Sequence, residues 1–286
     1  MCSRFFSSRS TPIAARKSLG QHFLRCAWVA NAMSRAAGLT KTDVVLEVGP
    51  GMGALTYMLA SSAGRVIAIE KDDRLAAMLA ADLRKRGILN VDIIRGDILE
   101  WIGRLGNEKW WREGAESTEY KIVSAIPYYL TSRLIRALLE TKTPPETIVL
   151  TIQKEVGERI VARPPSMNLL GLAVQIYAEA KIIKDVPADC FRPRPKVDSV
   201  IIKITPRPGT LLAADAIDSA DFFTIAQKAF GQKRKMLARS LKEYRDALPL
   251  KAQKKRPQEL DADEWVALIA AIRNKSNTPM KAHEEV

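Results

Sequence analysis

Short apolar segments alternate with longer helical ones from Asp43 to Ile204, and this pattern limits the possible folds more than any other feature of the chain. The longer segments, such as Asp73–Arg86, place apolar side chains three and four residues apart, as an amphipathic helix does. Alternation at this spacing predicts an α/β fold with a parallel sheet and helices on both faces. The predicted strands of this region are Val44–Val48, Val66–Glu70, Val91–Asp97, Lys121–Ala125 and Thr147–Ile152.

The pattern ends at Pro206–Gly209, whose prolines and glycine interrupt regular structure and are typical of a linker. Before it, two further strands are predicted, one from Leu172–Ala178 leading into Ala180–Ile183 and one at Ser199–Ile204. After it, Phe222–Ala247 and Asp263–Asn274 are predicted to be helical, and no strand pattern remains. We therefore expect a basic arm without fixed structure at 1–16, an α/β domain at 17–205, a small all-helical domain at 210–272 and a polar tail at 275–286.

The chain is strongly basic, with 45 Lys and Arg residues against 32 Asp and Glu residues and a formal charge of +13. The excess is concentrated between Lys228 and Arg256, where eleven basic residues stand against two acidic ones. This distribution favours a polyanionic partner, either nucleic acid or an acidic membrane face, over a merely basic soluble enzyme. No apolar run approaches the roughly 18–20 residues that cross a bilayer, so a transmembrane protein is not expected.

The cysteines and the N-terminal segment bear on the compartment. Cys2, Cys26 and Cys190 are few, odd in number and far apart, which predicts neither a metal cluster nor a disulfide scaffold and favours a reducing compartment. The first 16 residues contain three arginines, four serines and no acid. That composition fits either a short organellar transit peptide or a basic arm that contacts RNA, and it lacks the apolar core of a secretory signal.

A glycine-rich turn, Gly49–Gly53, lies between the first predicted strand and the following helix, where a ligand can approach the backbone closely. Glu70, 21 residues after Gly49 at the end of the second strand, is placed to accept hydrogen bonds from ribose hydroxyls. Asp97 ends the third strand and is placed to accept from an adenine amine. Three such features in order favour a nucleotide site over a structural bend. From spacing alone, a dinucleotide-binding dehydrogenase is a rival to an S-adenosylmethionine enzyme, in which Glu47 would face the amino acid portion of the cofactor.

Further segments give the chain a resemblance to the KsgA-type ribosomal RNA adenine dimethyltransferases (the RsmA family). The likeness covers about residues 17 to 270, and it is the set of segments in this order, rather than any one of them, that is specific. It implies a Rossmann-like class I methyltransferase domain followed by a small helical RNA-binding domain, and no dehydrogenase. The segments are Ser18–Leu24, Leu46–Thr56, Ile69–Glu70, Gly96–Asp97, Ile126–Ser132, Phe191–Ser199 and Ala229–Leu237.

The resemblance implies the cofactor and the substrate. It implies that S-adenosylmethionine donates methyl groups to the exocyclic amines of two neighbouring adenines near the 3′ end of small-subunit rRNA, twice each. By position, His22 and Leu24 would lie over the methionine end of the cofactor, Glu70 would hold its ribose and Asp97 its adenine. The complete set of cofactor-binding residues implied in this way is His22, Leu24, Gly49, Gly51, Glu70, Asp97 and Ala125.

The segment Ile126-Pro127-Tyr128 would carry the chemistry. An adenine amine is a poor nucleophile because its lone pair is delocalised into the ring, and acceptors placed on its hydrogens favour a pyramidal nitrogen. The Ile126 carbonyl, held rigid by Pro127, would supply one acceptor, and Tyr128 would stack on the flipped-out base. Transfer is then in line, so positioning does most of the work, and we expect neither a metal nor a covalent intermediate.

The sequence departs from the family at Ala125, where the family has Asn or Asp as a second acceptor for the target amine. Ser124 is adjacent, but neighbours on a strand point to opposite faces of the sheet. The loss of one such group costs roughly 10²–10³ in rate, by analogy with oxyanion donors. Three interpretations follow: a slower enzyme, a catalytically silent rRNA-binding assembly factor, or a substitution made to trap a complex.

Basic residues in the C-terminal domain are predicted to bind RNA phosphates rather than to form a merely solvated face. They are spaced along one predicted helix with apolar residues between them, so that the apolar set packs inward. Arg192, Arg194 and Lys196 are secondary candidates near the site. The primary candidates are Lys228, Lys233, Arg234, Lys235 and Arg239.

The sequence thus predicts a small-subunit rRNA adenine dimethyltransferase that acts late in ribosome assembly. The rival enzyme is the large-subunit rRNA dimethylase of the macrolide-resistance type, which shares the Leu19–Leu24 motif. The rival from another class is a non-catalytic assembly or mitochondrial transcription factor on the same fold. We expect a monomer in the bacterial cytoplasm that binds immature small subunits and no membrane, with a mitochondrial location as the alternative.

Overall fold

The computed structural model describes residues 14–105 and 119–276. Most of the arm predicted at 1–16 and most of the tail predicted at 275–286 therefore lie outside the described residues. The chain forms two compact units. One comprises the chain up to Glu158 together with Glu179–Pro206, and the other comprises Arg159–Ala178 together with the chain from Arg207 onward.

A seven-stranded sheet forms the centre of the first unit, in the order β4-β3-β2-β5-β6-β9-β7. The two remaining strands, β1 and β8, form a separate small sheet. The bounds of the described strands are β1 Phe23–Leu24, β2 Val44–Val48, β3 Arg65–Glu70, β4 Val91–Arg95, β5 Tyr120–Ser124, β6 Thr147–Gln153, β7 Ala178–Val186, β8 Phe191–Arg192 and β9 Ser199–Pro206.

Strand direction brings the residues after β2, β3, β4 and β5 to one edge of the large sheet. β2 pairs in parallel with β3 and β5, β3 pairs in parallel with β4, and β5 with β6. β9 runs against its neighbour β6, pairing with it from Ile148↔Ile204 to Gln153↔Ser199. This mostly parallel sheet confirms the predicted Rossmann-like α/β fold, and the carboxyl ends of its strands are where such folds bind ligands.

Helices cover the sheet of the first unit. The helix α1 contributes Val29 and Met33 to a core that also contains Val45, Val123 and Val149 from three adjacent strands. All five side chains are fully buried, as expected for strands with apolar residues on both faces. The helices are α1 Ala27–Ala37, α2 Thr56–Ser62, α3 Asp73–Lys85, α4 Ile98–Leu105, α5 Thr131–Leu139 and α6 Lys154–Val161, the last of which ends in the second unit.

The small sheet joins the N-terminal motif to the proline-rich loop. In it, Phe23 pairs with Arg192 and Leu24 with Phe191, antiparallel. The pairing brings the Cα atoms of Cys26 and Cys190 to 5.1 Å, and the two cysteines form a disulfide. No disulfide scaffold was expected from the sequence, and this single bond was not predicted. The two residues are 164 positions apart, and nothing in their spacing indicated that the strands beside them pair.

The second unit is helical and has its own core, in which Phe222, Leu237 and Trp265 are fully buried. The indole N–H of Trp265 donates to the carbonyl oxygen of Pro257 at 3.2 Å. Short single-turn helices complete the unit, and no described helix is both long and apolar enough to span a membrane. The α-helices are α7 Leu169–Gln175, α8 Ser219–Phe230, α9 Leu237–Ser240, α10 Leu250–Gln253 and α11 Ala262–Ser276.

The strand predicted from Leu172 to Ile183 is wrong in its first part, most of which lies in α7, and right at Ala180–Ile183, which lies in β7. Asn168 caps the helix by accepting a hydrogen bond from Gly171 N–H at 3.1 Å. Leu172 and Ile176, four residues apart, then pack into the core of the second unit. The helical unit therefore includes Arg159–Ala178, which the sequence had placed in the α/β domain at 17–205.

The single helix predicted at Phe222–Ala247 is also wrong, because α8 ends at Phe230 and the chain turns before α9 begins at Leu237. Gly231 follows α8 and is a poor helix former. The next residues include the basic run Lys233–Lys235, which offers no apolar side chain to the core and adds like-charge repulsion.

Candidate active site

A pocket opens at the carboxyl ends of β2, β3 and β5 in the first unit. Leu24 and Glu47 line an adjoining pocket on the other side of the glycine-rich turn. Among the described residues, no three His, Cys, Asp or Glu side chains are grouped so as to hold a metal ion. The predicted site residues that line the main pocket are His22, Gly49, Gly51, Glu70, Asp97, Ala125, Ile126, Pro127 and Tyr128.

The glycine-rich turn is tied to the end of β3. Gly51 N–H donates to Glu70 Oε2 at 3.0 Å, and Gly49 N–H donates to the carbonyl oxygen of Ile69 at 2.8 Å. Gly51 has a φ of +57°, and a Cβ at this position would lie 3.1 Å from Cδ1 of Phe23. Only glycine fits here without strain, since both the backbone conformation and the space exclude a side chain.

Glu70 organises this part of the pocket. Its side chain is buried, and its second oxygen, Oε1, accepts a hydrogen bond from Asp72 N–H at 2.8 Å. Burial raises the pKa of Glu70, and hydrogen bonds from the backbone amides of Asp72, Gly51 and Lys71 oppose that shift. A carboxylate offers about four acceptor positions, so this one retains capacity for a hydroxyl donor from a ligand.

Asp97 lies beside a cation that the sequence analysis missed. Its Oδ2 is 2.8 Å from Lys71 Nζ, and its Oδ1 accepts from Leu99 N–H at 3.0 Å. The Lys71 ammonium holds the pKa of Asp97 below its usual range. Lys71 lines the same pocket. The signal that was available is its position directly after Glu70, at the end of β3.

Glu47 is a buried acid in the adjoining pocket. Its side chain lies within β2, and its Oε2 has no hydrogen-bond partner among the described residues. Burial raises the pKa of Glu47 to about 8, and the nearby charge of Glu70 adds to the effect. A buried carboxylate oxygen without a partner is costly, so it is expected to be satisfied by a ligand group.

The raised pKa of Glu47 predicts a pH dependence of stability. Between the ordinary carboxyl value of 4.5 and about 8, the folded protein keeps a proton that the unfolded chain releases, so stability falls as pH rises through this window. Glu47→Gln removes the titration. The variant is therefore expected to gain about 2 kcal/mol or more over the unaltered protein between pH 5 and pH 8.

Thermal unfolding of the ligand-free protein at several pH values measures this difference. Glu155→Gln is the matched control, because it also replaces one carboxyl group by an amide, at an exposed position on α6. The interpretation is wrong if the Tm difference between Glu47→Gln and the unaltered protein does not change with pH, or changes equally for Glu155→Gln.

The N-terminal motif is anchored to the residues that follow β3. Gln21 Nε2 donates to Asp72 Oδ2 at 3.1 Å, while Gln21 Oε1 accepts from Arg16 N–H at 2.7 Å. Asp72 is fully buried and also receives Arg74, which holds its pKa well below the usual range. These contacts fix the segment that carries His22 beside the pocket.

His22 and Tyr128 form one wall of the pocket. Their ring centroids are 5.8 Å apart with 25° between the planes. His22 Nδ1 donates to the carbonyl oxygen of Pro193 at 2.7 Å, which leaves Nε2 as the second ring nitrogen. The Tyr128 hydroxyl bonds to Ser199 Oγ at 2.7 Å, and Ser199 is fully buried at the start of β9. The orientation of the Tyr128 ring is thus fixed by the His22 ring and by the hydrogen bond to Ser199.

Ala125 and Ile126 follow β5 directly and line the pocket. Ser124 cannot replace the missing side chain at position 125, because it is fully buried and its Oγ accepts from Val48 N–H at 2.7 Å. No described backbone N–H donates to the Ile126 carbonyl outside the regular elements. Ile126 thus lines the pocket, and position 125 offers it no side-chain acceptor.

The predicted RNA-binding residues lie in the second unit, though not on one helix. Lys228 lies in the last turn of α8 and forms an ion pair with Glu243. Lys233, Arg234 and Lys235 lie in the turn between α8 and α9, and all three are exposed. Arg239 is exposed on α9. Apart from Lys228, none of these side chains forms an ion pair with a residue that the structure describes.

The profile of the ribosomal RNA adenine dimethylase family matches residues 13–274. The chain belongs to this family. The resemblance stated from the sequence is thereby confirmed, and it extends across both units. Membership in the ribosomal RNA adenine dimethylase family also fits the placement of the segment Ile126–Tyr128 in the pocket with Glu70 and Asp97.

Several bacterial members of the ribosomal RNA adenine dimethylase family are similar over most of this chain. Ribosomal RNA small subunit methyltransferase A of Dehalococcoides mccartyi (strain CBDB1) is 41% identical over 231 residues, which are 80% of this chain and 75% of that protein. The protein of the same name from Moorella thermoacetica is 39% identical over 241 residues, 82% of this chain and 81% of the relative.

Two solved structures share the fold. A dimethyladenosine transferase from Plasmodium falciparum superimposes with a TM-score of 0.74 at 24% identity, covering 89% of this chain and 98% of that one. The 23S rRNA methyltransferase ErmE gives a TM-score of 0.67 at 24% identity, covering 88% and 99%. At this identity the likeness establishes the Rossmann-like domain with its helical addition, and nothing more specific.

Proposed function

We propose that this chain transfers methyl groups from S-adenosylmethionine to the exocyclic amines of two adjacent adenines near the 3′ end of small-subunit rRNA, on immature small subunits. The observation that carries the proposal is one pocket that holds both a nucleotide-binding set, Glu70 and Asp97, and the segment Ile126–Tyr128. The names of the bacterial relatives support the small-subunit substrate over the large-subunit alternative.

The pocket residues fit S-adenosylmethionine. Glu70 has acceptor capacity for a ribose hydroxyl, and Asp97 carries acceptors for the adenine amine. Glu47 Oε2, buried and without a partner among the described residues, is suited to the ammonium group of the methionine portion. Gly51 allows close approach of a ligand to the backbone. When bound, the cofactor supplies an electrophilic methyl group on a positively charged sulfur.

The residues on the other side of the pocket position the base. Tyr128 presents an aromatic face whose orientation is fixed by Ser199 and His22, so an adenine taken out of its stack gains a partner without reordering the protein. The Ile126 carbonyl accepts a hydrogen bond from the amine and so directs the nitrogen lone pair toward the methyl group. Ala125 provides no second acceptor, so the enzyme is slower than one with Asn at this position.

The hydrogen bond between Tyr128 and Ser199 gives a testable prediction. Ser199→Ala frees the tyrosine ring, and we expect kcat/KM for small subunits to fall about 3- to 10-fold while the affinity for S-adenosylmethionine is unchanged. Tyr128→Phe removes the same bond and retains the stacking face. The double variant should therefore be no slower than either single one.

Steady-state methylation at a temperature where all variants are folded measures this cycle. Additive losses in the double variant would show that the two side chains act separately, and a loss of cofactor affinity in Ser199→Ala would show that the bond serves the cofactor side of the pocket instead.

The basic turn of the second unit is proposed to hold the RNA through phosphates. Lys233, Arg234, Lys235 and Arg239 are exposed and carry no ion pair to a described residue, whereas Lys228 is already paired with Glu243. Phosphate contacts orient the RNA without reading its sequence. We further propose that the protein acts as a monomer in the bacterial cytoplasm, which the bacterial sources of its relatives support.

A substrate panel tests the proposed function. The unaltered protein is incubated with labelled S-adenosylmethionine and either immature small subunits that lack the modification, protein-free small-subunit rRNA or large-subunit rRNA. Label confined to adenines near the 3′ end of the small-subunit rRNA is the expected result. Label in large-subunit rRNA alone would establish the rival enzyme, and tight binding of small subunits without label would establish an assembly factor.

A further inference from the structure

The mouth of the pocket carries an exposed aromatic ring that the proposed chemistry does not use. Tyr129 is 57% exposed, although it lines the same pocket as Tyr128. Its ring packs on Gly20, where an added Cβ would lie 3.2 Å from Tyr129 Cδ1. Gly20 has a φ of +56°, so glycine is favoured here both by the backbone conformation and by the lack of space for a side chain. The ring is supported on one side and open on the other.

Two cations lie near Asp97 at the same mouth of the pocket. Lys71 lies at the pocket with its side chain 54% exposed and its Nζ 2.8 Å from Asp97 Oδ2. Asp97 raises the pKa of Lys71, and Tyr129 is near enough to add to that effect. Arg133 is exposed in the first turn of α5, four residues after Tyr129, and the chain from Tyr128 to Leu139 is helical throughout. The charge of Arg133 contributes to the lowered pKa of Asp97, so Arg133 also lies near this mouth of the pocket.

We propose that Tyr129, Arg133 and Lys71 form a second nucleotide subsite at the mouth of the pocket, which takes the unpaired nucleotide next to the target adenine. The open face of Tyr129 stacks on its base, and the two cations contact its phosphates. An exposed aromatic ring between basic side chains is how proteins hold single-stranded nucleic acid. The inference rests on the proposed function and deepens it, because two adjacent adenines must be held in turn.

The base contact is tested with Tyr129→Ala and Tyr129→Phe. Affinity is measured for immature small subunits by filter binding and for S-adenosylmethionine by calorimetry. We expect Tyr129→Ala to weaken small-subunit binding about 10-fold with unchanged cofactor affinity, and Tyr129→Phe to retain most of the binding because the ring face remains. A loss of cofactor affinity in Tyr129→Ala, or unchanged small-subunit binding, would overturn the proposal.

The phosphate contact is tested with Arg133→Ala, with Arg136→Ala as the matched control. Arg136 lies on the same helix, is 74% exposed and pairs with Glu140. Small-subunit affinity is measured across a range of KCl concentrations. Arg133→Ala should reduce the slope of log affinity against log salt by about 0.7, the value for one phosphate contact on a single strand, while Arg136→Ala leaves it unchanged. Equal slopes in both variants would overturn this contact.

The failure of this inference is distinguishable from failure of the proposed function. If the unaltered protein methylates small subunits and Tyr129→Ala does so with the same KM, the subsite is wrong and the function stands. If the unaltered protein neither binds nor methylates small subunits, the proposed function itself is wrong, and the subsite is wrong with it.

Discussion

Ala125→Asn is expected to raise the rate of methyl transfer about 100-fold. The position follows β5 directly and lines the pocket between the glycine-rich turn and the Ile126 carbonyl. An amide oxygen there adds a second acceptor for the hydrogens of the target amine, and one well-placed group of this kind is worth roughly 10²–10³ in rate. Because the gain arises in the transition state, kcat should rise while KM for small subunits changes little.

Single-turnover methylation with saturating S-adenosylmethionine measures the effect. Ala125→Leu is the matched control, since leucine has nearly the size of asparagine and no acceptor, and it should give no gain. A similar rate for the unaltered protein and the Ala125→Asn variant would show that the second acceptor comes from elsewhere in the complex. Ser124 is not that group, because its hydroxyl is buried and bonded to Val48 N–H.

Glu70→Ala is expected to weaken S-adenosylmethionine binding about 100-fold or more. The carboxylate accepts from Gly51 N–H and Asp72 N–H, so its removal leaves two backbone donors unpaired as well as removing the ribose acceptor. Two hydrogen bonds to a charged group correspond to about 3 kcal/mol, or about two orders of magnitude in Kd.

Calorimetric titration with the cofactor gives the Kd directly. Asp92→Ala is the control, because Asp92 is an exposed carboxylate on the neighbouring strand β4 that pairs with Arg65. Unchanged cofactor affinity in Glu70→Ala would contradict the assignment of this end of the pocket to the ribose. A comparable loss in Asp92→Ala would show that the effect is not specific to Glu70.

The sequence was sufficient to predict the features that are local. The parallel strands are short and mostly apolar, and the residue that follows each of them comes to the carboxyl edge of the sheet. This is why Glu70 and Asp97, at or just after the ends of two different strands, could be predicted from the pattern to share one site, while Ile126 was expected there from the resemblance to the family. Their separation along the chain does not matter once strand direction is known.

Secondary structure predicted from the local pattern was wrong where packing against distant residues determines it. The run Leu169–Gln175 is apolar enough to be a strand, and it is a helix because Asn168 caps it and Leu172 and Ile176 fit a core made by residues far along the chain. The basic segment after Phe230 contains residues that favour helices, yet the chain turns there. Leu237 packs into the core of the second unit, whereas the charged residues between Phe230 and Leu237 do not.

Contacts between distant segments were beyond the sequence. Tyr128 and Ser199 are 71 residues apart, and His22 and Pro193 are 171 apart. Both contacts, and the disulfide between Cys26 and Cys190, depend on the pairing of β1 with β8 and of β6 with β9. Lys71 was missed for another reason. A lysine at the end of a strand is usually a solvated surface charge, and only the structure shows that the carboxylate of Asp97 lies beside it.

The most direct test is the formation of dimethyladenosine by the unaltered chain. Immature small subunits that lack the modification are incubated with the protein and S-adenosylmethionine, and the nucleosides are quantified by mass spectrometry after the modified positions have been mapped. We predict N6,N6-dimethyladenosine at two adjacent positions near the 3′ end of the small-subunit rRNA, formed slowly by the unaltered protein and rapidly by Ala125→Asn. Dimethyladenosine with Ala125→Asn and none with the unaltered protein would contradict the account, and the chain would then be an rRNA-binding protein that has lost catalysis.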